Sequence, residues 1–204
     1  MAAAILMFLA LVVFTLPVLL MAGMDRPLVE NSLSSWCQSI PNLQGATSEF
    51  YQQVIAAVEM REVPGVSMRT VLFLEGGIQT DKREYLRIER GNLVYDLCAA
   101  PFGGTFFVSS WLAQKPSKVL EALASAPLVG ALVRIMVRLF DPLTYFKLDS
   151  ARMFQAAVHE AVLEVIDQMT SLQGVAPLTE LQRRPVLPEL AGIKIAQVGA
   201  PVRT

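Results

Sequence analysis

The sequence predicts an α+β domain tied to a membrane: an N-terminal transmembrane helix, then a helix, an antiparallel β-meander and a long amphipathic C-terminal helix. Three observations lead there. No charged side chain precedes Asp25. Four strand-like runs separated by glycine turns follow one another between positions 66 and 112. Apolar residues at helical spacing then recur from Phe154 to Met169.

Residues 1–24 are the expected anchor. A helix of that length, rising about 1.5 Å per residue, spans roughly 34 Å against a hydrocarbon core of about 30 Å. Its candidate membrane or partner contacts are Ile5, Leu9, Val12, Leu16 and Leu19. The competing reading is a cleaved signal peptide. Such a peptide opens with basic residues and ends at a small-residue site. Here no basic residue precedes the apolar run, and Met21-Ala22-Gly23-Met24 is a poor cleavage site. Arg26 on the C-terminal flank places the globular part in the cytoplasm by the positive-inside tendency.

Residues 25–47 read as a linker, since Ser, Asn, Gln and Pro mix there with isolated apolar residues. Trp36 within it either meets the membrane interface or packs on the domain, and is a candidate contact residue. The α+β domain is expected over 48–174. Its first helix covers 48–61, capped by Thr47 or Ser48, with Phe50, Val54, Ala57 and Val58 on one face. Strands are expected at 66–74, 83–90, 93–99 and 105–112. Leu86 and Ile88 share one face of the second, with Tyr85, Arg87 and Glu89 on the other. Gly91-Asn92 suits a two-residue hairpin turn, and Pro101-Phe102-Gly103-Gly104 makes the next.

The second apolar region, 119–140, is interrupted by Glu121, Pro127, Arg134 and Arg138, which leaves too short an apolar core for a span. Arg134 and Arg138, four apart, share a helical face. The segment either lies in the headgroup plane with both arginines on anionic phosphates, or is a packed helix whose arginines reach solvent. A short strand is expected at 144–148. Asp149 and Ser150 then cap a helix ending near Gln173-Gly174, with Phe154, Val158, Ala161, Val162, Val165 and Met169 as its apolar stripe, widened by Met153, Ala157 and Ile166. Four prolines after Val175 predict an extended tail over 175–204.

Composition excludes some functions. With 17 basic and 18 acidic residues spread along 204, the formal net charge is −1, and no basic face offers a nucleic-acid footprint. Cys37 and Cys98 lack metal or redox spacing; two unlinked buried thiols are expected, one disulfide being the alternative. His159-Glu160 opens a zinc-protease pattern, but position 163 is leucine where a second histidine is required. A helix-face histidine bonded to a neighbour is expected instead. Cys98 with His159 is the one conceivable thiol–imidazole pair, set against an apolar surrounding that favours an inert thiol. The glycine pairs carry no phosphate-binding pattern. Asp81, Glu84, Glu89 and Asp96, interleaved with Lys82, Arg83, Arg87 and Arg90, are expected to pair across strands on the solvated face of a hairpin. No catalytic, cofactor-binding or metal residue is assigned.

Three stretches together carry a resemblance: Arg83-Glu84-Tyr85-Leu86-Arg87, Cys98 to Gly103 with Phe107-Val108-Ser109-Ser110-Trp111, and Met153 to His159 continuing through Val165-Ile166-Asp167. They resemble an uncharacterised family of bacterial membrane proteins over positions 48–187. The resemblance implies bacterial origin and membrane association, and no reaction. In that family a long apolar membrane segment follows the tryptophan, whereas here the arginine-interrupted 119–140 stands in that place.

The function expected is therefore that of a single-span accessory or structural subunit of a bacterial inner-membrane complex, its partners being membrane lipids and other integral membrane subunits. A module holding a lipid or small apolar ligand between sheet and helix is the alternative, and a thiol hydrolase using Cys98 and His159 ranks behind it.

Overall fold

A computed structural model describes residues 32–74, 82–115 and 144–186. The expected anchor with Ile5, Leu9, Val12, Leu16 and Leu19, and the 119–140 segment with Arg134 and Arg138, lie outside the described residues. Among the described residues, no helix is long and apolar enough to cross a membrane.

Alternating side chains and short turns yield five antiparallel strands: β1 Ser32–Pro41, β2 Val66–Leu74, β3 Lys82–Arg90, β4 Leu93–Phe102 and β5 Thr105–Gln114. They form one sheet in the order β1-β5-β4-β3-β2. Helices α1 (Thr47–Glu59) and α2 (Tyr145–Gln173) complete the α+β fold. The turn between β3 and β4 is two residues long because Gly91 adopts a positive φ of 61° without a Cβ penalty. Pro101, expected in the next turn, instead lies within β4 and pairs with Phe106. The β3–β4 ladder has already ended at Leu86–Leu97, so the missing proline N–H interrupts no bond to β3.

The 25–47 linker is corrected: it contains β1. Ser34, Trp36 and Ile40 turn inward on alternate positions, and the strand pairs with β5 from Ser34–Leu112 to Pro41–Thr105. Ser- and Gln-rich β1 has little strand signature of its own, so pairing with its neighbour decides its conformation.

Phe50, Val54, Ala57 and Val58 of α1 are buried, as their spacing predicts. Neither Thr47 nor Ser48 caps it, however. The cap is Ala46 without a side-chain bond, and the Thr47 hydroxyl donates to the Ala99 carbonyl at 3.0 Å. Helix α2 begins at Tyr145, so the short strand at 144–148 and the cap at Asp149-Ser150 are not formed. Thr144 Oγ1 accepts the Lys147 N–H at 3.3 Å and starts the helix a turn earlier. Gly174, at φ 64°, ends it with the Val175 N–H on the Thr170 carbonyl.

Both helices pack on one face of the sheet, where Phe50, Phe154, Val158 and Ile166 meet Leu86, Ile88, Tyr95, Leu97 and Phe106. Glu164 of α2 receives Arg61, just beyond α1, at 2.7 Å.

The chain enters, leaves and re-enters at one end of this sheet. Ser32 pairs with Ala113, and Gln114 with Leu93, so β1 starts where β5 stops. Gln155 of α2 donates to Ser34 Oγ at 2.5 Å, near that end, while Gln173 exchanges bonds with the backbone of Gln44 at the other. At about 1.5 Å per residue, the turns before Gln155 carry Tyr145 roughly 15 Å further along the axis, past the last strand pair.

Candidate functional site

Two clusters hold the chemistry-bearing residues, one on each face of the sheet. On the helical face, His159 is buried between α2 and β4. Its Nε2 lies 2.7 Å from the Arg183 carbonyl, which can only accept, so Nε2 carries the proton. Nδ1 therefore accepts from the Tyr95 hydroxyl at 3.2 Å. Burial pushes the Tyr95 phenol well above its ordinary range and keeps it an O–H donor.

Trp36 completes the cluster. Strand alternation turns it toward the helices, and its ring meets His159 edge-on at 5.0 Å. Its Nε1 donates to the Gln182 carbonyl at 2.6 Å, shared with Gln38 Nε2 at 3.2 Å. Trp36 is thus a core residue, correcting its place among the membrane or partner contacts.

The same contacts strap down the start of the expected 175–204 tail. Arg183 forks onto both Asp167 oxygens at 2.6 and 2.9 Å, and Val186 and Ser35 exchange backbone bonds at 2.7 and 2.9 Å. His159 is a helix-face histidine bonded to its neighbours, joining sheet, helix and tail. Neither ring nitrogen remains for a substrate.

Burial pushes the His159 pKa below its ordinary 6.5, against the pull of the Arg183 carbonyl and Glu160. The unfolded chain takes up this proton near pH 6.5 while the folded one resists it. Stability from the neutral ring is therefore fully present above that pH. It is lost as pH falls from there through the lower folded-state value. His159→Gln keeps a donor and an acceptor but does not titrate. Urea midpoints measured at about pH 7.5 and about pH 5 should fall further for the natural chain than for this variant.

On the second face of the sheet, Arg87 and Asp96 lie side by side on β3 and β4. Their bond is bidentate, Nε to Oδ1 at 2.7 Å and Nη2 to Oδ2 at 2.8 Å. The guanidinium carbon stands 5.1 Å from the Phe73 ring centroid. With 2% and 5% exposure, this pair corrects the solvated hairpin face expected for it. Glu89 fits that expectation better: it is partly exposed and receives Lys115 at 2.7 Å and Arg69 at 3.3 Å.

Cys98 shares this second face, whereas His159 packs against the first. Leu97 and Ala99 point to the helices, so Cys98 between them points away. The sheet separates thiol from imidazole, and the Cys98–His159 pair is not formed. Burial also pushes the Cys98 thiol up, despite the Arg83 charge and bonds to Tyr85, Arg83 and Ser109, which lowers its nucleophilicity at neutral pH. Cys37 and Cys98 each stand opposite Ser109, from the two strands flanking β5. Two strand spacings, about 9–10 Å, exceed the reach of a disulfide. Both thiols are free, and Cys37 is exposed, not buried as expected.

Tyr51 has a role no sequence motif announces. Where β3 and β4 separate, its hydroxyl donates to the Glu84 carbonyl at 2.9 Å and accepts the Ala99 N–H at 3.0 Å. It stands in for the ladder bond that the diverging strands no longer make.

Two surface grooves border α2. The larger, about 700 Å³, runs along α2 between Arg61 and Arg183, whose charges are already paired with Glu164 and Asp167. The smaller, about 200 Å³, is bordered by Gln44, Gln53, Met169 and Gln173. Neither is the apolar pocket between sheet and His159 helix that a lipid-binding module requires. Among the described residues, no group of three His, Cys, Asp or Glu side chains is placed to hold a metal. Buried side-chain polar atoms among them all have hydrogen-bond partners. Comparison of the chain with protein-family models, curated proteins and solved structures gives no match.

Proposed function

We propose that the protein is a membrane-anchored, non-catalytic accessory or structural subunit of a bacterial membrane complex, with lipids and integral membrane subunits as partners. The observation that carries this reading is the shared exit at one end of the sheet. The apolar run before Asp25 feeds into β1 there, and 119–140 leaves β5 and returns to α2 at that same end.

In this reading residues 1–24 cross the bilayer once and hold the domain with that end toward it, on the cytoplasmic side indicated by Arg26. A single crossing within 116–143 would put Lys115 and Thr144 of one folded unit on opposite sides. Two crossings would need about 40 residues, more than that stretch holds. An in-plane element, with Arg134 and Arg138 on headgroup phosphates, satisfies both ends. The paired charges of the larger groove and the separation of Cys98 from His159 favour a binding role over a chemical one.

The test is extraction of the full chain from its own cell membranes in mild detergent, followed by native mass analysis. The expected species contains at least one integral membrane subunit at fixed stoichiometry. A strictly monomeric chain, or one released from the membrane by alkaline wash, overturns the proposal.

A further inference from the structure

We infer that the first three turns of α2 form a second membrane contact, with Tyr145, Phe146 and Met153 seated among the headgroups of the bilayer that holds the anchor. This rests on the membrane reading above and adds which surface of the folded domain touches lipid.

The three side chains are 88%, 80% and 71% exposed, which corrects the place of Met153 beside the apolar stripe, whereas the middle turns from Phe154 to Ile166 bury most of their apolar residues. Phe146 and Met153 are seven positions apart and share a helical face, and Tyr145 adjoins it. An aromatic pair with a polar hydroxyl suits the boundary between water and hydrocarbon, where such rings concentrate. Arg152 stands exposed beside Met153 as a cationic group for anionic phosphates, with Asp149, also exposed, one turn earlier.

Position selects lipid over other occupants. These turns project beyond the last strand pair, at the end where residues 1–31 and 116–143 join the fold. The apolar stretch 119–140 closes only a few residues before Tyr145. A bilayer that holds both segments lies next to these turns without any further partner. The opposite end, at the hairpin carrying Phe102, is then the part of the domain furthest from lipid.

The test uses the full chain carrying Cys37→Ser, reconstituted into phosphatidylcholine–phosphatidylglycerol vesicles. Single cysteines are introduced by Phe146→Cys, Met153→Cys, Leu172→Cys or Phe102→Cys and given an environment-sensitive fluorophore. All four positions are exposed, so labelling leaves the core intact. Nitroxide-bearing lipids should quench the labels at 146 and 153 several-fold more than those at 172 and 102, which lie at the opposite end of the domain. Chains that float with the vesicles yet show equal quenching at all four positions overturn this contact and leave the anchored reading standing. Labels at 146 and 153 shielded from aqueous quenchers but not reached by lipid nitroxide would place protein there and overturn it too. A chain that does not float overturns both proposals.

Discussion

Asp96→Ala should lower stability by about 3–5 kcal/mol, read as a large drop in the urea midpoint with little change in slope. Arg87 is buried in the middle of β3, and the substitution removes the carboxylate that accepts two of its N–H bonds. A guanidinium cannot escape by losing its proton, because its pKa lies above any pH at which the domain would be studied. The carboxylate then no longer offsets the desolvation that the guanidinium underwent on folding. Arg87→Met combined with Asp96→Leu keeps the volume and removes both charges. That double variant should regain most of the loss, because a well-packed apolar pair is often as stable as the ion pair it replaces. If it remains as unstable as Asp96→Ala, the pair holds more of the sheet together than its own charges.

Phe50→Ala should have a similar effect for a different reason. Phe50 is fully buried where α1 meets β5, its ring edge-on to Phe106 at 5.5 Å. Truncation removes the ring's burial and leaves a cavity that helix and sheet cannot close completely, a loss of about 3–5 kcal/mol. Met60→Ala at the exposed end of the same helix should stay within about 0.5 kcal/mol. Equal losses for the two would mean that α1 is not held by its apolar face.

Much of the architecture was legible where one local signal sufficed. Leu86 and Ile88, with Gly91-Asn92 and the strand after it, identify the central hairpin, and Gly174 marks the end of α2. The failures share a cause. Strand β1 is made by its neighbour, since Ser and Gln at half of its positions look like loop until β5 lies alongside. The start of α2 was hidden because Tyr145-Phe146 suits a strand by propensity, and the helix that follows overrides it. Alternation assigned Arg87 to the correct face but not its depth. Burial depends on everything that surrounds a face, which a period of two does not encode. The cluster around His159 was invisible as a set, because its members come from β1, β4, α2 and the segment after α2. The histidine's own fate was readable, since the absence of a second metal ligand left hydrogen bonding to neighbours as its expected role.

Cys37 and Cys98, one on each side of β5, bear on the compartments in which this domain can exist. No covalent link joins its strands, so a reducing cytosol takes nothing away from it and an oxidising periplasm adds nothing inside it. The fold carries no chemical record of the redox state of its surroundings. The environment would first register at the exposed Cys37, as a disulfide between two copies in an oxidising compartment and as a free thiol in a reducing one.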